Sequence, residues 1–219
     1  MVGRSLCVST RIADADRRYW GFPRQQSEDG DFLRDSERKA GVDMTSNVHI
    51  RAATPDDYAG IAKVHVDSWR ATYRGIIPDS FLDQLTYEGS ESGWRQSATS
   101  LPPHYAMFVA ETPTNEIVGF ANGGHVRASD TEFQGELYAI YLLPSYQRQG
   151  IGQQLFYQIV QHLTEHGYPS LLIWVLKDNP ARFFYERLGG TVIREATINI
   201  GGQPLTELGY SWTLPLTRP

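Results

Sequence analysis

Two glycines and an arginine set between a strand pattern and a helix pattern constrain this chain more than any other feature. The stretch Gln147-Arg148-Gln149-Gly150-Ile151-Gly152 follows an apolar run at 137–143, which Pro144 ends, and precedes an amphipathic run at 153–166. Glycine lets the backbone approach a ligand closely, and the N–H groups of a helix's first turn have no intrahelical partners, so they can face an anion. A strand-to-helix turn of this composition reads as a cradle for a pyrophosphate, with Arg148 adding a mobile positive charge. The spacing is not that of a dinucleotide fingerprint, because Leu155 stands where the third glycine belongs, and no Gly-Lys-Ser/Thr follows to make a P-loop.

The pattern around this turn alternates strands and helices. A short strand at 48–51 leads to Thr54-Pro55, an N-cap and first helical residue for a helix over 56–73 that Gly75 and Pro78 close. Weaker helical segments cover 79–85 and 88–98. Strands at 106–111 and 117–126 form a hairpin around Thr112-Pro113-Thr114-Asn115, and a strand at 134–143 enters the glycine turn. Leu155, Ile159 and Leu163 put an apolar stripe on the next helix, which Gly167 ends. A strand at 171–176, a helix at 181–188 opened by Asp178-Asn179-Pro180, and strands at 191–200 and 205–214 about Gly201-Gly202-Gln203-Pro204 complete the chain.

With 219 residues, 41% of them hydrophobic, the chain can bury one substantial core. No apolar run reaches membrane-spanning length. Residues 1–46 show no sustained period and read as a disordered extension, leaving 47–219 as the folded domain. Met44 stands just before the first strand, so both residue 1 and Met44 remain open as the natural start. The extension carries eight basic and eight acidic residues, so the whole formal charge of −5 falls on 47–219. That balance disfavours nucleic acid as a partner. Cys7 is the only cysteine, which excludes an intrachain disulfide and makes a reducing cytoplasm the simplest compartment. His65, His104 and His125 show no ligand spacing, so no metal is expected.

Gln-x-x-Gly-x-Gly at 147–152 resembles the acetyl-coenzyme A loop of the GNAT superfamily of N-acetyltransferases, and the order of elements over 47–214 is similar to that fold. The resemblance implies a mixed α/β architecture, a central mixed β-sheet splayed between two parallel strands and flanked by helices. The parallel strands here are 136–143 and 171–176. It implies acetyl-coenzyme A as acetyl donor, an amine acceptor and transfer by direct attack in a ternary complex. Arg148, Gln149, Gly150, Ile151, Gly152 and Gln153 would hold the pyrophosphate, and the main chain of Ile140, Tyr141 and Leu142 would pair with the pantetheine amides. Asn179 and Tyr185, in Asn-Pro-Ala-Arg-Phe-Phe-Tyr-Glu-Arg-Leu-Gly-Gly, match a second motif of the family, one residue shorter than its common form.

Acyl transfer from a thioester to an amine poses two proton problems. An amine of pKa about 10.4 must lose a proton, and a thiolate of pKa about 8.5 gains from receiving one. The resemblance gives Tyr185 the second task and Glu136 the first, with a water chain as the alternative base. With side chains alternating along the strand, Glu136, Tyr138, Ile140 and Leu142 share one face. Trp69 and Tyr73 lie in a segment that recurs in one subset of the family and would stand beside the acceptor amine, or else pack as core. A non-catalytic acyl-coenzyme A sensor of the same fold is the rival reading. A homodimer and the identity of the acceptor stay open.

Overall fold

In a computed structural model, residues 48–127 and 132–216 are described, so the extension at 1–46 lies outside the described residues. Seven strands form one sheet in the order β1-β2-β3-β4-β5-β7-β6, and every neighbouring pair is antiparallel except β4 with β5. The strands are β1 (His49–Ala52), β2 (Ala106–Glu111), β3 (Ile117–His125), β4 (Gly135–Leu142), β5 (Ser170–Leu176), β6 (Thr191–Ile200) and β7 (Gln203–Thr213). Helices α1 (Tyr58–Tyr73), α2 (Asp79–Asp83) and α3 (Tyr87–Ser97) cover one face, and α4 (Ile151–Glu165) and α5 (Arg182–Arg187) cover the other.

The entry to α1 differs by a turn from the sequence pattern. Thr54 is extended, Pro55–Asp57 form a 3-10 turn, and the Asp57 carboxylate accepts hydrogen bonds from the Thr54 N–H (2.7 Å) and hydroxyl (3.1 Å). The same carboxylate takes a forked pair of bonds from Arg51 (2.7 and 2.8 Å), which also donates to Glu111 (2.7 and 2.8 Å) and to the Ala52 carbonyl (3.2 Å). Arg51 thus ties β1, β2 and the start of α1 together, and its guanidinium pulls both carboxyls below their ordinary range.

Each helical layer buries its own apolar stripe. Leu155, Ile159 and Leu163 of α4 are fully buried against Leu137, Ile140 and Leu142 of β4. Each such side chain contributes about 1.5–3 kcal/mol relative to exposure, so this stripe, rather than helix propensity, holds α4 on the sheet. On the opposite face Ile61, Trp69 and Tyr73 of α1 pack against Phe120 and Tyr141. The β6–β7 turn is tighter than the four-residue segment expected: Gly201 and Gly202, at φ 60° and 85°, make the whole connection, and Gln203 and Pro204 already belong to β7.

Two irregularities of β4 matter most. Asn122 of β3 pairs with Ala139, but Gly123 pairs with Leu137, so Tyr138 is an extra residue, a β-bulge in β4. On its other side β4 pairs with β5 only at Gly135↔Leu171 and Glu136↔Leu172. A Cβ on Gly135 would stand 2.8 Å from the Ser170 carbonyl, so glycine is what admits this close approach. Beyond it the bulge adds twist and the strands part, β4 continuing with β3 and β5 with β7.

Candidate functional site

The parting strands leave a slot whose β4 wall is the main chain of residues 137–142. Ile140, Tyr141 and Leu142 lie on that wall with their side chains buried. At the slot's end the chain makes a 3-10 turn over Pro144–Tyr146, and the buried Gln147 amide donates to the Leu142 carbonyl (2.9 Å), fixing the loop to the strand. Arg148 (φ 66°) and Gly150 (φ 82°) both adopt left-handed backbone on either side of Gln149, whose amide donates to the Ser145 carbonyl (3.0 Å). Arg148, Gln149 and Gly150 are exposed. The Gln154 N–H donates to the Gly150 carbonyl (3.1 Å). The N–H groups of Ile151, Gly152 and Gln153 therefore precede the first full turn of a 15-residue helix, where backbone donors and the positive end of the dipole favour an anion. The loop so built fits a pyrophosphate.

Across the slot, α5 follows β5. Asn179 is fully buried, and its Oδ1 accepts the Ala181 N–H (2.9 Å), so the side chain caps this turn. Tyr185 is fully buried as well, its ring 5.1 Å from Phe184 and 6.2 Å from both Tyr210 and Trp212.

The bulge overturns the expectation of unbroken alternation along β4. Leu137, Ile140 and Leu142 face α4, whereas Ala139 and Tyr141 face α1. Glu136, on the opposite side from Leu137, is thereby turned to the α1–α3 face and does not share a face with Ile140 and Leu142, because the extra residue shifts the two-residue period. There Glu136 is 1% exposed, and Arg127 holds it through its N–H (2.9 Å), Nε (3.2 Å) and a terminal guanidinium nitrogen (2.6 Å). The Arg127 guanidinium also lies 4.6 Å from the centre of the Tyr138 ring. Burial pushes the Tyr138 phenol upward, and its hydroxyl donates to the His125 carbonyl.

Beside this pair opens a cavity of about 200 Å³, lined by Trp94, Tyr105, Asn122, Val126, Arg127 and Tyr138 among others. Its residues carry no motif spacing, since they come from α3, two loops, β3 and β4, and no sequence signal gathers them. Trp69 and Tyr73 are not in this lining. Both are 1% exposed in the core under α1, their rings 4.9 Å apart, and Trp69 Nε1 donates to the Tyr141 hydroxyl (2.8 Å). Buried nearby, His65 contacts the Ser90 hydroxyl (3.0 Å), and desolvation pushes its pKa down to about 3. Among the described residues no group of three or more His, Cys, Asp or Glu could hold a metal ion, and no helix is long and apolar enough to cross a membrane.

The sequence pattern of the Acetyltransferase (GNAT) family matches residues 50–190. The uncharacterized N-acetyltransferase YuaI of Bacillus subtilis is 39% identical over 165 residues, 75% of this chain and 92% of that protein. The probable N-acetyltransferase Rv2775 of Mycobacterium tuberculosis is 31% identical over 150 residues, 65% of this chain and 79% of its own length. Among solved structures, a GNAT superfamily phosphinothricin acetyltransferase from Sinorhizobium meliloti in complex with AcCoA superposes with a TM-score of 0.61 at 20% identity, covering 77% of this chain and 89% of that one. These relatives are named as acetyltransferases rather than as sensors.

Proposed function

Because the chain belongs to the GNAT acetyltransferase family and transfers an acetyl group from acetyl-coenzyme A to an amine, we propose that the donor lies along the β4–β5 slot and that the amine attacks from the α1–α3 face. The observation that carries this placement is the end of β4–β5 pairing after two residue pairs. An interior stretch of strand is thus left with main-chain groups that an extended amide-bearing chain can satisfy. In this reading the backbone of Ile140, Tyr141 and Leu142 pairs with the pantetheine amides. The N–H groups of Gln149, Gly150, Ile151, Gly152 and Gln153, with Arg148, hold the pyrophosphate. Asn179 adds a polar group at the turn it caps.

Glu136 takes up the proton that the acceptor ammonium must lose. The bonds from Arg127 fix its carboxylate, whose oxygens keep further lone pairs for a donor. Tyr185, on α5, gives its phenolic proton to the departing thiolate. Trp69 and Tyr73 act one layer back, holding the Tyr141 ring and so the β4 wall.

Acetyl-coenzyme A is expected to raise the melting temperature, since a ligand specific for the folded state contributes about 2.7 kcal/mol at a hundredfold excess over its dissociation constant. Gly150→Val places a β-branched side chain at φ 82° and should abolish that shift. No shift in the unaltered protein at millimolar acetyl-coenzyme A would refute the placement.

A further inference from the structure

The cavity beside Glu136 is chemically selective. Its walls are mostly aromatic and apolar, from Trp94, Tyr105, Tyr138, Leu101, Pro103 and Val126, with Ser97, Asn122, His125 and Arg127 as polar members. Burial pushes the Tyr105 and Tyr138 phenols upward, so both stay neutral. Among the described residues its lining includes Arg127 and no Asp or Glu. One polar group in it is unmatched: Asn122 is 3% exposed, its Nδ2 donates to the Tyr105 hydroxyl (3.1 Å), and its buried Oδ1 receives no hydrogen bond from the described residues. A buried acceptor without a donor is costly, so a ligand that brings one N–H or O–H to Asn122 gains selectively.

Size narrows the ligand further. A dry apolar cavity of about 150 Å³ accommodates benzene, so about 200 Å³ accommodates one such ring with a short chain. A polyamine would bring a second ammonium beside the Arg127 guanidinium, whose carboxylate partner Glu136 is already engaged in that ion pair. Several residues of a peptide exceed the space.

Resting on the acetyl-transfer reading above, we infer that this cavity is the acceptor subsite and that it takes a small primary monoamine carrying one benzene-sized ring. The ring packs between Trp94, Tyr105 and Tyr138, and Asn122 receives the acceptor's hydrogen-bond donor. Arg127 lines the cavity and holds Glu136, so the cavity lies next to the carboxylate assigned to take the amine's proton, and the guanidinium positions that carboxylate without itself passing the proton.

Coenzyme A thiol release is measured with 2-phenylethylamine, tyramine, spermidine and a short peptide beginning with alanine, alongside the melting shift given by acetyl-coenzyme A. At least one ring amine should show kcat/KM about tenfold or more above spermidine and the peptide. Asn122→Leu should lower that value by about tenfold, and Leu101→Trp, an exposed rim position (46% exposed) that does not threaten the core, should raise KM for the ring amine. Both variants should keep the acetyl-coenzyme A shift. Preference for spermidine or the peptide, ring-amine kinetics indifferent to both variants, or a full melting shift with no ring amine acetylated would each overturn the inference while leaving the donor placement standing. Absence of any shift would remove that placement and this inference together.

Discussion

Two buried residues, Tyr185 and Glu136, are assigned opposite proton transfers, and their substitutions separate the roles. Tyr185→Phe keeps the ring that packs against Phe184, Tyr210 and Trp212 and removes only the hydroxyl. Acetyl-coenzyme A binding should survive while turnover falls by about a hundredfold or more. Glu136→Gln should depress the rate most at low pH, where little free amine exists, and the gap should close as pH nears the amine's own pKa. Equal loss at every pH would assign Glu136 to the architecture of the Arg127 pair instead. His65 bears on stability rather than chemistry. Its pKa falls from 6.5 to about 3 on folding, so between those values the unfolded chain binds more protons than the folded one. The stability this represents is whole above pH 6.5 and is lost as pH falls toward 3, by at most about 1.4 kcal/mol per pH unit. Melting temperatures of His65→Gln should therefore fall less steeply with acid than those of the unaltered protein. Parallel curves would exclude His65 as the titrating group.

Among the elements, β4 governs the site, and Gly123 of β3 is the residue that allows its bulge. A Cβ there would stand 2.7 Å from the Glu136 carbonyl and 2.9 Å from Ile159. Gly123→Ala should cost about 1–3 kcal/mol in a denaturant titration, because strand and helix α4 would both have to shift. An unchanged midpoint would mean that the bulge is free to relax. The same strand shows where sequence reading reaches and where it stops. Period-2 and period-3.6 apolar patterns, with turn residues between them, placed each strand and helix to within a few residues, since burial on a pleated or helical face is a local property of the chain. The glycine turn was equally legible, because a φ of 82° at a helix start leaves a glycine, Gly150, whereas the φ of 66° falls on Arg148 and leaves no such mark. The bulge was not, since an inserted residue keeps the apolar letters and changes only which face they meet. Trp69 and Tyr73 look the same in sequence whether they flank an amine or seal a core; in the fold they are buried with their rings packed together, and Trp69 is hydrogen-bonded to Tyr141. Arg127 and Asn122 carry no motif at all, and only the fold brings them to Glu136 and Tyr105.

At the scale of the molecule, two groups of strands, β1-β2-β3-β4 and β5-β7-β6, meet through two residue pairs of backbone and are joined mainly by what lies above and below. On one face α4 and α5 share a single apolar cluster with strands of both groups. On the other, Ile198 and Ile200 of β6 join Ile77 and Leu82 of the α1–α2 region, and the Gly201 turn rests on Pro78 and Phe81. The parting of β4 from β5 gives the sheet, besides its two outer margins, two inner ones. An open strand margin ordinarily invites another protein's strand and, with it, aggregation. Here the inner margins lie between two helical layers, whose apolar clusters cover the sheet on both faces. The donor arm proposed to lie there is a thread with amide groups and almost no girth. On that placement, the recess would select its cosubstrate by thickness before any single contact is made.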